Sequence, residues 1–195
     1  MNTLHWLGAL GAIASLLGSL GLPPAQAQRL CDTGEYEPAA TTQRTVTLPQ
    51  FGLAVTIPSN YRALRRQDGT VEILHPQDYE FIQCILAGGL GGRGYYSESL
   101  RLVPRDRRLS LREQALVISG NSADAVGPGG QRIRAEPYRV GDWVGYLVES
   151  VSGYGVTFVS EQPRQPQFLL VVAAGCDCPV EREAVTDLLS RMRRL

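Results

Sequence analysis

The chain has 195 residues, 44% of them hydrophobic, which suits one globular domain with a real core and excludes a disordered polymer. Its 19 basic and 19 acidic residues cancel, so bulk attraction to nucleic acid or anionic lipid is not expected. Lys is absent and every basic residue is Arg, a usage that marks composition rather than one site.

Residues 6–22 carry no charge and are dominated by Leu, Ala, Gly and Ile, the pattern of a translocated leader. Pro23 and Pro24 end any helix there. Ala25-Gln26-Ala27 then places small residues where a signal peptidase reads them, so residues 1–27 are expected to be a cleaved signal peptide with Gln28 as the new terminus. An uncleaved anchor is the alternative, because no Lys or Arg precedes the apolar run and its length approaches the ~20 residues that span a bilayer. Cys31 follows Gln28-Arg29-Leu30, where lipidation needs small residues, and is not an anchor site. Export implies the periplasm or a thylakoid lumen, partners outside the cytoplasm, and no stable membrane insertion after cleavage.

Residues 28–43 lack apolar periodicity and read as an arm, with Cys31 available to staple it to a single α+β domain over residues 44–195. Short strands are expected at 45–48 and 53–57, the second stopped by Pro58, which cannot donate to a ladder. Residues 61–66 and 70–75 flank Gln67-Asp68-Gly69, a hairpin signature, and Pro76 closes the second strand. Residues 79–86 and 95–103 read as strands joined by the glycine-rich stretch 88–94.

Ser110-Leu111-Arg112-Glu113 is a capping box, so a helix starts there with Leu111, Ala115 and Ile118 on its buried face. Glycines between 120 and 130 end it. A meander follows at 132–139, 143–149, 155–161 and 168–174. The last of these is apolar at every position, so both of its faces should be covered and it is expected at the centre of a sheet. A closing helix is expected from Pro179 to the end, with Val185, Leu188, Leu189, Met192 and Leu195 as its core stripe. These elements predict an α+β fold: an antiparallel sheet with flanking helices, layered helix, sheet, helix.

Cys31, Cys84, Cys176 and Cys178 form an even set, which in an exported chain points to two disulfides with three connectivities to choose from. Bonding Cys176 to Cys178 would close a small ring, so the expectation leans toward both tying back to Cys31 and Cys84. A redox-active Cys176-Asp177-Cys178, helped by a helix N-terminus just beyond Cys178, and a four-thiolate metal site are the sharper alternatives. Zinc and iron–sulfur sites usually show Cys-x-x-Cys pairs, which are missing here.

Gly89-Leu90-Gly91-Gly92-Arg93-Gly94 matches G-x-G-x-x-G, but a strand rather than a helix follows it, so it reads as a flexible hairpin loop able to close over a partner. Arg101, Arg105, Arg107, Arg108 and Arg112 crowd around the start of the predicted helix, where cations oppose its dipole. A phosphate, a carboxylate or an acidic protein surface bound by Arg105, Arg107, Arg108 and Arg112 would relieve that conflict; a solvated loop face is the plainer reading. With His5 in the leader, His75 stands alone, which removes any multi-histidine metal site, and with no marked nucleophile it reads as a turn residue. Trp143 and the tyrosines read as packing residues, and no cofactor is implied.

The order of elements, with Phe51-Gly52-Leu53-Ala54-Val55-Thr56-Ile57-Pro58-Ser59-Asn60-Tyr61 opening the sheet and a helix closing it, resembles the PsbP-like family. Members of that family are exported lumenal or periplasmic proteins related to an extrinsic subunit of photosystem II. Residues 57–62 and 71–84 also resemble small exported proteins of cyanobacteria. The resemblance implies the PsbP-like fold and a photosynthesis-related setting, and it brings no site residues with it. The sequence thus leads to an exported, non-enzymatic binding or assembly factor with an arginine-rich recognition surface, meeting a protein or a small anionic ligand. A thiol/disulfide redox protein or a small hydrolase is the rival.

Overall fold

In the computed structural model, residues 29–31, 37–92, 94–121, 126, 130 and 132–195 are described. The expected signal peptide, its cleavage point and the alternative anchor lie outside them. Among the described residues, no helix is long and apolar enough to cross a membrane.

Among the described residues, ten strands and three α-helices follow one another in an α+β order. Strands β1 (Gln43–Leu48) and β2 (Leu53–Pro58) are joined by a 3-10 turn at Pro49–Phe51. The hairpin β3 (Arg62–Arg65) and β4 (Val71–Leu74) turns at Gly69, whose φ of 85° is the left-handed conformation the Asp-Gly pair anticipates. Helix α1 (Pro76–Leu86), strand β5 (Ser97–Pro104) and helix α2 (Leu111–Ile118) follow. Next come β6 (Glu136–Val140), β7 (Trp143–Glu149), β8 (Gly155–Glu161) and β9 (Phe168–Gly175). Helix α3 (Glu183–Ser190) and strand β10 (Met192–Arg194) end the chain.

All strand pairs are antiparallel and form two sheets, one of three strands in the order β1-β2-β10 and one of seven in the order β3-β4-β5-β9-β8-β7-β6. Strand β9 is the middle strand of the larger sheet, as its unbroken apolar run requires. Its alternate residues feed two cores: Leu169 and Val171 join Val148, Val159, Ala115 and Leu116 under α2, while Leu170 and Val172 join Phe158, Leu100 and α3 residues Val185, Leu188 and Leu189. The second core also takes Leu53, Val55 and Ile57 of β2, so α3 and the small sheet together cover one face and α2 covers the other. Burying each Val, Leu, Ile or Phe side chain among these contributes roughly 1.5–3 kcal/mol.

Two expected elements differ. Residues 79–86 are helix α1, not a strand: His75 is the N-cap, with its Nδ1 accepting from the Gln77 amide at 3.4 Å, and Pro76 occupies the first turn, where its missing N–H costs nothing. Asp78, Phe81 and Ile82 form its buried face. The closing helix is also shorter than expected. It begins at Glu183 rather than Pro179 and ends at Ser190, after which Met192–Arg194 turns into a strand on the free edge of β2. The returning chain satisfies backbone groups along this edge that would otherwise lack partners: the Thr56 amide of β2 donates to Arg191 O at 3.0 Å, and Gly52 O, just before β2, accepts from the Leu195 amide at 3.0 Å. Met192 stays buried by this route, whereas Leu195, expected on the core stripe, is exposed.

Candidate functional site

The arginines expected to bind an anion lie where β5 hands over to α2, and the structure divides them. Arg105 is tied inward, its amide donating to Gln167 O at 2.9 Å and its guanidinium pairing with Glu161 Oε1 at 2.7 Å. Arg108 is tied to its own turn: Asp106 accepts from the Arg108 amide at 2.9 Å and from its Nη2 at 2.7 Å. These bonds hold the Asp106 carboxyl down at about 2. Buried Gln114 braces the turn, accepting from the Asp106 amide at 2.8 Å and donating to Leu109 O at 3.1 Å.

The capping box forms as expected. The Glu113 amide donates to Ser110 Oγ at 3.2 Å, and Glu113 Oε2 accepts from the Ser110 amide at 2.8 Å. The hydroxyl and amide of Ser110 keep the Glu113 carboxyl below its ordinary range. The chain's own Glu113 and Asp106 thereby supply the negative charge that the helix start and its arginines call for. Arg107 and Arg112 remain exposed, and neither makes an ion pair among the described residues.

The cysteines pair as Cys31–Cys84 and Cys176–Cys178, not across the two sets as expected. Both closures have simple geometric reasons. Leu30 bridges Leu90 in parallel register, with the Cys31 amide donating to Leu90 O at 2.7 Å and the Leu90 amide to Arg29 O at 2.9 Å. The arm is thereby laid against the last turn of α1, where Cys84 sits. At the other site the chain leaving β9 turns enough that the Cα atoms of Cys176 and Cys178 lie 5.2 Å apart, within disulfide reach. With the four sulfurs spread over two bonds, the four-thiolate metal site does not form. Helix α3 starts at Glu183 with Arg182 as its N-cap, so the helix N-terminus expected just beyond Cys178 is not there. Two disulfides suit an oxidising compartment.

The glycine stretch is a packing device. A Cβ on Gly89 would collide with Cys31 Sγ and lie 2.7 Å from Cys84 Sγ, one on Gly91 would lie 2.5 Å from the Phe81 ring, and one on Gly94 would lie 2.5 Å from the Asp177 carboxyl. The Gly94 amide donates to Asp177 Oδ2 at 2.9 Å. The loop is thus closed on its own chain at both ends, on one disulfide at Gly89 and on the residue between the cysteines of the other at Gly94. Beside the first disulfide, Leu30, Leu86 and Leu90 are exposed.

His75 is buried as a helix cap, with its ring edge-on to Tyr61 at 5.4 Å. The pair of buried Glu98 and half-buried Arg191 escaped the sequence reading. One Arg191 nitrogen, Nη2, reaches both carboxylate oxygens, at 2.8 and 2.9 Å, and clamps the end of α3 to β5. Loss of solvent raises the Glu98 carboxyl, and Arg191 pulls it partly back; the neighbouring Tyr96 hydroxyl is also raised, first by burial and then by Glu98. The signal was present in the alternation, because Glu98 falls on the same parity as Tyr96, Leu100 and Leu102, which pack into the core. Comparison with models of protein families and with curated proteins finds no match.

Proposed function

We propose that this chain is an exported binding or assembly factor, working in the periplasm or a thylakoid lumen, that docks on an acidic protein surface through the exposed arginines at the start of α2. The observation that carries this reading is the self-capped helix: Glu113 accepts from the Ser110 amide and Ser110 Oγ from the Glu113 amide, so two amides at the helix start are already satisfied within the chain, and the exposed Arg107 and Arg112 offer charge outward to a surface. Arg105 and Arg108, paired with Glu161 and Asp106, keep the shoulder in shape. The resemblance to PsbP-like proteins supports a photosynthesis-related setting.

Cross-linking in the native compartment, comparing wild type with Arg107→Glu/Arg112→Glu, tests the reading. The variant is expected to lose a cross-linked partner that the wild type captures and that Arg62→Glu, a control on β3, retains. Equal capture by all three chains overturns it. Inorganic phosphate in a melting assay is the second arm, and it should leave the midpoint of wild type and variant alike; a phosphate-dependent rise confined to wild type would replace the acidic surface with a small anion.

A further inference from the structure

We propose that Cys176–Cys178 is an exchangeable disulfide that accepts an electron pair from a dithiol of an extracytoplasmic partner, with Cys178 as the attacked sulfur. This rests on the disulfide end of the molecule and is independent of the arginine shoulder. The bond closes around a single residue, Asp177, on an exposed segment, and Cys178 is exposed while Cys176 is only partly so. Exposed disulfides are the labile and exchange-active ones, whereas structural ones resist reduction. Cys31, by contrast, is buried.

The local backbone prepares Cys176 to leave. The Cys178 amide donates to Cys176 Sγ at 3.2 Å, which stabilises a thiolate there, and Cys178 O lies 3.1 Å from the same sulfur, ready to accept from it once protonated. Asp177 is held by the Gly94 amide at 2.9 Å, and Val180 and Cys176 are held by the backbone carbonyls of Gly153 and Tyr154, so the segment keeps its place when the bond opens.

The step balances as follows. A partner thiolate attacks Cys178 Sγ, forming a mixed disulfide, and the Cys176–Cys178 bond breaks with its electron pair going to Cys176, which takes a proton. The partner's second thiolate then attacks its own sulfur in the mixed disulfide, and Cys178 leaves and is protonated in turn. Two electrons and two protons pass from the dithiol to this chain, and the partner gains a disulfide.

The test uses the native, oxidised protein and dithiothreitol as the probe, with alkylation and peptide mapping at each concentration. Cys176 and Cys178 should become alkylated at a dithiol concentration at least about tenfold below that needed for Cys31 and Cys84, with circular dichroism unchanged. Joint reduction of the two pairs, or earlier reduction of Cys31–Cys84, overturns the proposal. A reduced peptide carrying two cysteines supplies a second readout: the wild type should oxidise it with a stoichiometry of one disulfide per chain, and oxidation no faster than that by Cys176→Ser/Cys178→Ser overturns the proposal. With reduced glutathione and the wild-type disulfide, acid trapping should place the first mixed disulfide on Cys178 and the freed thiol on Cys176; an adduct found mainly on Cys176 overturns the assignment of the attacked sulfur.

Discussion

The two disulfides meet opposite ends of one glycine-rich loop and differ in both span and burial. Cys31–Cys84 joins residues 53 apart in sequence, and its sulfurs leave no room for a side chain on Gly89. Cys176–Cys178 joins residues two apart on an open segment. In the chain-entropy picture the first removes about 4 kcal/mol of freedom from the unfolded chain and the second only about 1.5 kcal/mol. The difference teaches that an even cysteine count says little about role: the long-span bond ties residues 29–31 to the end of α1, while the short one closes around a single residue and constrains the unfolded chain far less.

The largest effect should come from Cys31→Ser/Cys84→Ser, with a loss of about 4 kcal/mol in urea unfolding. A loss below about 1 kcal/mol would mean that the Leu30–Leu90 bridge and its two amide bonds hold the arm by themselves. Next comes Gly89→Ala, where the new Cβ meets both sulfurs and, at 2.9 Å, Cys84 O; it should cost about 2 kcal/mol in the disulfide-bonded protein. In the Cys31→Ser/Cys84→Ser background that cost should shrink, and the coupling in the double-mutant cycle measures how tightly the bond is packed on the glycine.

The open end should respond less. Cys176→Ser/Cys178→Ser is expected to lower unfolding free energy by at most about 1.5 kcal/mol, and a larger loss would make this bond structural. Gly94→Ala is the counterpart of Gly89→Ala, but the atoms it meets belong to the end of the Asp177 side chain, which can swing away, so it should cost under about 1 kcal/mol. The ratio of the two glycine effects is a direct reading of how differently the two ends of the loop are held.

Much of this architecture was legible in local pattern. The Asp68-Gly69 hairpin, the Ser110–Glu113 box and the doubly buried run of β9 each declare themselves within a few residues, because turn dihedrals, caps and burial periodicity are short-range properties. What was lost depends on distant partners. Pro76 serves equally as the end of a strand and the first turn of a helix, and only the His75 cap with Asp78 in the first turn decides between them. Met192 satisfies a helical stripe and a strand equally well; the open edge of β2, far back in sequence, takes it as a strand. The cysteine pairing failed for the same reason, since the contact that brings Cys31 to Cys84 is a bridge between Leu30 and Leu90 with no sequence signature. At the arginine shoulder the charge conflict was legible, but its resolution by Asp106 and Glu113 needed the turn that Gln114 braces.

The smallest effect sets the arginine shoulder against the disulfides through pH. Asp106 has a folded value of about 2 against an ordinary 3.8, so the stability it adds is fully present above 3.8 and is lost as pH falls through about 2. Glu113, also lowered, acts in the same direction below its ordinary 4.5. Glu98 has the opposite sign: its folded value is raised by burial, so its contribution favours the fold below 4.5 and is lost as pH rises through the folded value. Acid should therefore loosen the turn before α2 while the Glu98 strand holds, and neither disulfide titrates. Amide exchange from about pH 5 to about pH 2, corrected for intrinsic rates, should rise at Arg108 and Glu113 and stay flat at Leu90, whose amide is held by the arm beside the long-span disulfide. In Asp106→Asn the side chain no longer ionises, so the response at Arg108 should vanish while that at Glu113 persists. A response at Arg108 unchanged by the substitution would mean that another carboxylate, Glu113, governs the turn.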